Sequence, residues 1–168
     1  DCSFGIGSVA LEGMSRELAS RGGTALLLEA RNHARAAPVN DGCGAEFVQK
    51  GQVPPRGVSE KLDAGRTLCS FDGDADRIVF HAWSSPCLSH QAEESNWFLL
   101  DGDRIAVLFA AFLKEELGAS GLLRDFRFGC VQTAYANGGS TAHLRSMGVP
   151  VKMAKTGVKH LHHVALQE

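Results

Sequence analysis

At 168 residues, with 44% hydrophobic and 21% charged side chains, the chain has the length of one domain, or one domain plus part of another, and an ordinary globular α/β composition. A formal charge of −2 implies no general affinity for nucleic acid or anionic membranes, and no apolar run reaches the roughly 20 residues that span a bilayer. Five scattered cysteines, odd in number and without a C-x-x-C pair, read as reduced thiols of a cytoplasmic protein rather than a disulfide framework or zinc site.

The first residues read as the end of a strand entering a helix, and the last stop inside an apparent helix, so a piece of a longer protein is expected. The turn Gly5-Ile6-Gly7 leads into a helix over residues 9–20, with Val9, Leu11, Met14 and Leu18 as its apolar stripe. Gly5-x-Gly7 lacks the third glycine of a dinucleotide fingerprint and is read as a tight turn. Residues 24–28 form a continuous apolar run, as in a strand buried on both faces. Residues 31–42 read as a loop, and Asp41 as the cap of a short helix through Ala45, Phe47 and Val48. Residues 51–65, with Pro54-Pro55, read as a linker without regular structure.

Strands are expected over 67–71 and 77–83, with an acidic loop between them, then a polar hairpin connection over 84–95 and a strand over 96–100. Asp101 is placed as the cap of a helix over 102–117 that buries Ile105, Leu108, Phe109, Phe112 and Leu113. Capping also accounts for the pair Asp101 and Asp103. Residues 118–125 are the expected boundary, dividing the chain into 1–120 and 121–168. A β-α-β unit follows, with strand 126–133, helix 138–147 and strand 149–153, and a last helix opens after Lys155-Thr156-Gly157. Asn137-Gly138-Gly139-Ser140 reads as a helix cap or an anion-facing turn.

The acidic loop is Asp72-Gly73-Asp74-Ala75-Asp76-Arg77, with carboxylates at alternate positions. Like charges this close disfavour each other's ionisation, and a hard divalent cation such as Mg2+ relieves the repulsion with oxygen ligands. Gly73 is read as the residue that turns the backbone so that the side chains converge. An EF-hand starting at Asp72 would require glutamate where Trp83 stands, which excludes it. Three protein ligands leave positions open for phosphate or water, as a working site needs. Lys155 and Thr156 at a helix start read as an anion pocket or as an exposed cap. His160 and His163 share a helical face without a cysteine or acidic partner, which argues for phosphate contact or structure over zinc. A Mg2+ loop with a donor-rich helix start points to a phosphorylated small molecule and phosphoryl transfer.

The run Ser70-Phe71-Asp72-Gly73-Asp74-Ala75-Asp76-Arg77 resembles the metal loop of the α-D-phosphohexomutase superfamily. Thr133-Ala134-Tyr135-Ala136-Asn137-Gly138, the stretch from Lys155 to His163, and Asp1-Cys2 with Gly5-Ile6-Gly7 are similar to its phosphoacetylglucosamine mutase branch. The resemblance implies an isomerase, with residues 1–120 as the second domain and 121–168 as the start of the third. The fold implied is a phosphohexomutase-type α/β domain with a mixed sheet, followed by an incomplete α/β domain of the same type. It implies Asp72, Asp74 and Asp76 as Mg2+ ligands, and Arg77 as stabiliser of the phosphoryl group in transit. It further implies Lys155, Thr156 and Gly157 as sugar-phosphate contacts, with Lys155 assisting proton transfer. The partner implied is a phosphorylated amino sugar, converted through a phosphoserine on a domain that this sequence does not show, so the piece alone is expected to be inactive. Ser3-Phe4 departs from the small-residue–asparagine pair usual before Gly5 in that family.

Overall fold

The computed structural model describes residues 1–21, 28–83 and 96–167. The strand expected over 24–28, Leu28 apart, and the connection over 84–95 lie outside the described residues. The chain separates into two compact units, Asp1–Asp101 and Gly102–Glu168.

In the first unit, helix α1 (Gly7–Ser20) is followed by the short helices α2 (Ala45–Gly51) and α3 (Glu60–Asp63), then by strands β1 (Leu68–Phe71), β2 (Ile78–Trp83) and β3 (Trp97–Leu100). The strands form an antiparallel sheet in the order β1-β2-β3, with Phe71 opposite Ile78 and Trp83 opposite Trp97. Strand alternation turns Val79, His81 and Trp83 inward, and Val79 and Leu99 close with Ala45 and Val48 of α2 into a small core. Each such fully buried aliphatic contributes about 1.5–3 kcal/mol. On the side of β1 away from β2, the Asp1 α-amino group donates to Cys69 O (2.8 Å) and Phe71 N donates to Asp1 O (3.0 Å), the hydrogen-bond pattern of a parallel pairing.

Three expectations for this unit change. Helix α2 starts at Gly44 (φ +95°) without a side-chain cap, because Asp41 instead pairs with Arg56 at 2.8 Å. The supposed linker contains α3, anchored by the fully buried Asp63. Val9 and Met14 of α1 are exposed; the helix is held by its first turn, where Gly7 meets the Phe71 ring and Ser8 Oγ accepts from Ala34 N at 3.1 Å.

The second unit holds α4 (Gly102–Ala119), a 3-10 turn (Leu122–Arg124), β4 (Cys130–Thr133), α5 (Gly138–Ser146), β5 (Val151–Ala154) and α6 (Val158–Ala165). Strands β4 and β5 pair in parallel, so the connection through α5 is a β-α-β crossover. Ala110 of α4 packs with Leu144 and Val149, with Val107, Phe128 and Met147 around them. That packing corrects two expectations. The units divide at 101/102 rather than 120/121, since α4 builds the second core and residues 118–125 turn within that unit. The buried stripe of α4 runs through Val107 and Ala110, where a small residue admits the neighbouring helix, whereas Leu108, Phe109 and Phe112 are exposed.

Candidate functional site

The acidic loop, residues 72–77, joins the paired ends of β1 and β2. Asp72 N still reaches Arg77 O at 3.4 Å, and Ala75 N donates to Asp72 O at 3.1 Å to close the turn. Three carboxylate oxygens, one each from Asp72, Asp74 and Asp76, lie within 4.8 Å of one another, with Asp72 buried and the other two exposed. That oxygen-only donor set, open on one side, fits a hard divalent cation with coordination positions to spare.

The turn is not made by Gly73. The left-handed residue of the loop is Ala75, at φ +60°, a conformation that costs a non-glycine residue about 1–2 kcal/mol. Gly73 is required for a different reason, close approach. A Cβ there would lie 2.3 Å from Val39 Cγ1, and one on Gly5 would lie 2.1 Å from Gly73 O. The same Gly73 carbonyl accepts from Ile6 N at 3.0 Å, so the Gly5-Ile6-Gly7 turn serves as a clamp on the acidic loop. Left-handed Ser3, Phe4, Asn32 and Asn40 occur in the segments that supply this clamp. Asp1 ties them together, its carboxylate accepting from Ser3 N (3.0 Å), Asn32 Nδ2 (2.8 Å) and Gly44 N (2.8 Å).

Arg77 closes the site. Its Nε donates to Asp72 Oδ2 at 2.6 Å and its amide to Asp72 Oδ1 at 3.1 Å, while Nη2 meets Glu46 Oε2 at 3.2 Å. Burial pushes the Asp72 carboxyl up, but the hydrogen bonds and charge of Arg77 outweigh it and hold the group below the usual aspartate range. Asp76 is displaced upward, first by the charge of Asp74 and then by Asp72. Two carboxylates forced together in this way are what a cation relieves.

Lys155, Thr156 and Gly157 lie in the other unit, directly after β5. Lys155 and Thr156 are exposed, and Gly157 (φ +118°) starts α6 with no side-chain cap, leaving its first amides without a side-chain acceptor. Among the described residues no histidine joins a metal-type cluster, and His163 pairs with Gln167 at 3.1 Å. Asn137 caps α5 by accepting from Gly139 N at 2.8 Å, which gives that turn its role. Glu46, whose approach to Arg77 spans 31 positions, and the buried pair Ser70 and His81 (3.1 Å) within the β1–β2 pair carry no motif of their own in the sequence. Only the alternation of β2, which turns His81 inward, hinted at the latter.

Residues 101–168 match the family described as phosphoacetylglucosamine mutase AMG1, domain III. A phosphoacetylglucosamine mutase of Mus musculus is 45% identical over 98% of this chain and 28% of its own length, and one of Arabidopsis thaliana 44% identical over 99% and 29%. An N-acetylglucosamine-phosphate mutase of the α-D-phosphohexomutase superfamily, solved in its substrate complex, superposes with a TM-score of 0.82 at 32% identity, over 99% of this chain and 30% of that one. The Aspergillus fumigatus N-acetylphosphoglucosamine mutase, solved with GlcNAc-6P and magnesium, gives 0.69 at 33% identity, over 92% and 28%. By sequence and fold the chain is a relative of the α-D-phosphohexomutase superfamily. Within that class its relatives are phosphoacetylglucosamine mutases, and it spans about 28% of the length of the mouse protein.

Proposed function

We propose that this chain carries the metal loop and a sugar-phosphate loop of a phosphoacetylglucosamine mutase, an isomerase. The reaction is the interconversion of N-acetylglucosamine 6-phosphate and N-acetylglucosamine 1-phosphate, on the route to UDP-N-acetylglucosamine in the cytoplasm. The observation that carries this reading is the convergence of three carboxylate oxygens within 4.8 Å beside Arg77. Asp72, Asp74 and Asp76 would hold Mg2+, which when bound neutralises charge on a phosphoryl group. Arg77, anchored through Nε, keeps donors for a phosphoryl oxygen. Lys155, Thr156 and the α6 amides bind the sugar phosphate, and Lys155 moves a proton at the sugar hydroxyl. The phosphoserine of the family reaction would come from a further segment of the full-length protein, and the 168-residue piece would not turn over alone.

The test is Asp74→Asn in the full-length parent. The exposed side chain keeps its volume and loses its charge, so turnover falls by orders of magnitude while the fold stands; near-normal turnover sinks the assignment. A phosphoglucomutase or phosphomannomutase specificity is the rival reading, and assays of the same parent on glucose and mannose phosphates separate them. Retention of Mg2+ without turnover of any sugar phosphate would leave a binding module.

A further inference from the structure

We propose that Glu46 is a positioning residue for Arg77, fixing the plane of its guanidinium beside the metal loop; the catalytic part of this inference rests on the function proposed above. Arg77 is held at Nε by Asp72 Oδ2 (2.6 Å) and at Nη2 by Glu46 Oε2 (3.2 Å). Among the described residues, Nη1 has no partner. One anchor leaves a planar fork free to swing, whereas two anchors on different nitrogens define the plane and the direction of the unpaired edge.

Glu46 is itself well placed for this. It lies in the first turn of α2, and its other oxygen is held by Lys50 one turn on. Helix α2 is locked to the loop's supports: Gly44 N donates to Asp1 Oδ2 at 2.8 Å, and a Cβ on Gly44 would lie 2.1 Å from Ser3 Oγ. Ala45 and Val48 on either side of Glu46 are buried in the core. The Glu46 carboxylate therefore has little freedom to follow Arg77 elsewhere.

A purely stabilising role does not explain the pair. Both side chains are about half exposed, at 54% and 46%, and an exposed ion pair contributes only about 0–1 kcal/mol. What the contact does supply is orientation, and a misplaced group near reacting atoms lowers rate by far more than such a pair alters stability.

Two measurements decide it. In the 168-residue chain, guanidinium 15N NMR should show hindered rotation of the Arg77 Nη groups. Glu46→Ala, and the isosteric Glu46→Gln to a lesser degree, should speed that rotation while the Nε signal held by Asp72 persists. Unchanged Arg77 signals in Glu46→Ala overturn the proposal. In the full-length parent, Glu46→Ala should lower kcat about 10-fold with KM for the sugar phosphate little changed. In an Arg77→Ala background it should add no further loss, because Glu46 acts only through that side chain. Equal proportional losses in both backgrounds, or a faster Glu46→Ala enzyme, overturn it as well. If Arg77→Ala itself leaves turnover untouched, the mutase reading fails, and the NMR result still decides the positioning claim.

Discussion

The first unit contains two buried aspartates answered by arginine, and they differ in what is left over. Asp63, fully buried, takes Arg31 at 2.8 and 2.9 Å and Ser59 N at 3.0 Å. Its Oδ1 meets the guanidinium as a charge contact outside hydrogen-bond geometry. Arg31 is saturated in turn, with Nε on Glu29 (2.9 Å) and Nη1 also on Gly57 O (2.9 Å). Asp72 is nearly as buried, yet among the described residues its arginine keeps Nη1 unpartnered, and two further carboxylates crowd beside it. The same ion pair closes one loop and leaves the other open for a ligand. On the function proposed above, surplus rather than burial would mark the functional member.

Breaking the two pairs should separate these roles. Arg31→Ala strips the buried Asp63 carboxylate of its main cation, leaving Ser59 N and a longer contact to Arg66 at 3.6 Å, and is expected to destabilise by about 3 kcal/mol. Arg77→Ala also strips a buried carboxylate of its cation, but Asp72 keeps the residue-77 amide at 3.1 Å and the lost side chain was half exposed, so a smaller loss than for Arg31→Ala is expected. Both tryptophans, Trp83 and Trp97, lie in this unit, so urea denaturation followed by fluorescence reports on it directly. Equal losses for the two variants would erase the contrast.

A second difference lies in the strand pair that carries the open loop. His81 is buried with Nε2 on Ser70, and burial lowers its pKa to about 4. The unfolded chain takes up a proton near the ordinary histidine value of about 6.5, which the folded state resists until about 4. Stability is therefore full above that ordinary value, falls as pH drops between the two, and loses about 3 kcal/mol in all. His81→Leu should flatten this part of the profile, and an unchanged profile would assign the acid sensitivity to other groups. The smallest effect is expected at Ala75: glycine there relieves the left-handed backbone but gains freedom when unfolded, for a net change within about 1 kcal/mol. A large loss in Ala75→Gly would mean that the methyl group itself supports the loop.

Much of this was legible in the chain because it is local. The alternation of β2, the carboxylate spacing and the Asn137 cap each depend on a few neighbouring residues. What was misread depends on distant partners. The apolar stripe of α4 looks buried from its own periodicity, but Leu144 and Val149 select Ala110 and Val107 instead, and with them the division of the chain. Gly73 looks like a turn residue until Val39 and Gly5 are seen against it. Asp41 offers a helix cap until Arg56 claims it, and Glu46 carries no sign of Arg77 in its own surroundings.

The clamp of Gly5-Ile6 on the Gly73 carbonyl has a consequence for folding. Contacts such as Ser3 Oγ to Phe71 O join residues 68 positions apart, and closing a loop of that size costs roughly 4 kcal/mol in chain entropy. A synthetic octapeptide bearing the same three aspartates would lack this brace and should hold a divalent ion no better than any flexible acidic segment. Any cation affinity of this chain would thus depend on the folded brace, and a bound ion, by favouring only the closed form, would act back on the assembly of its own container.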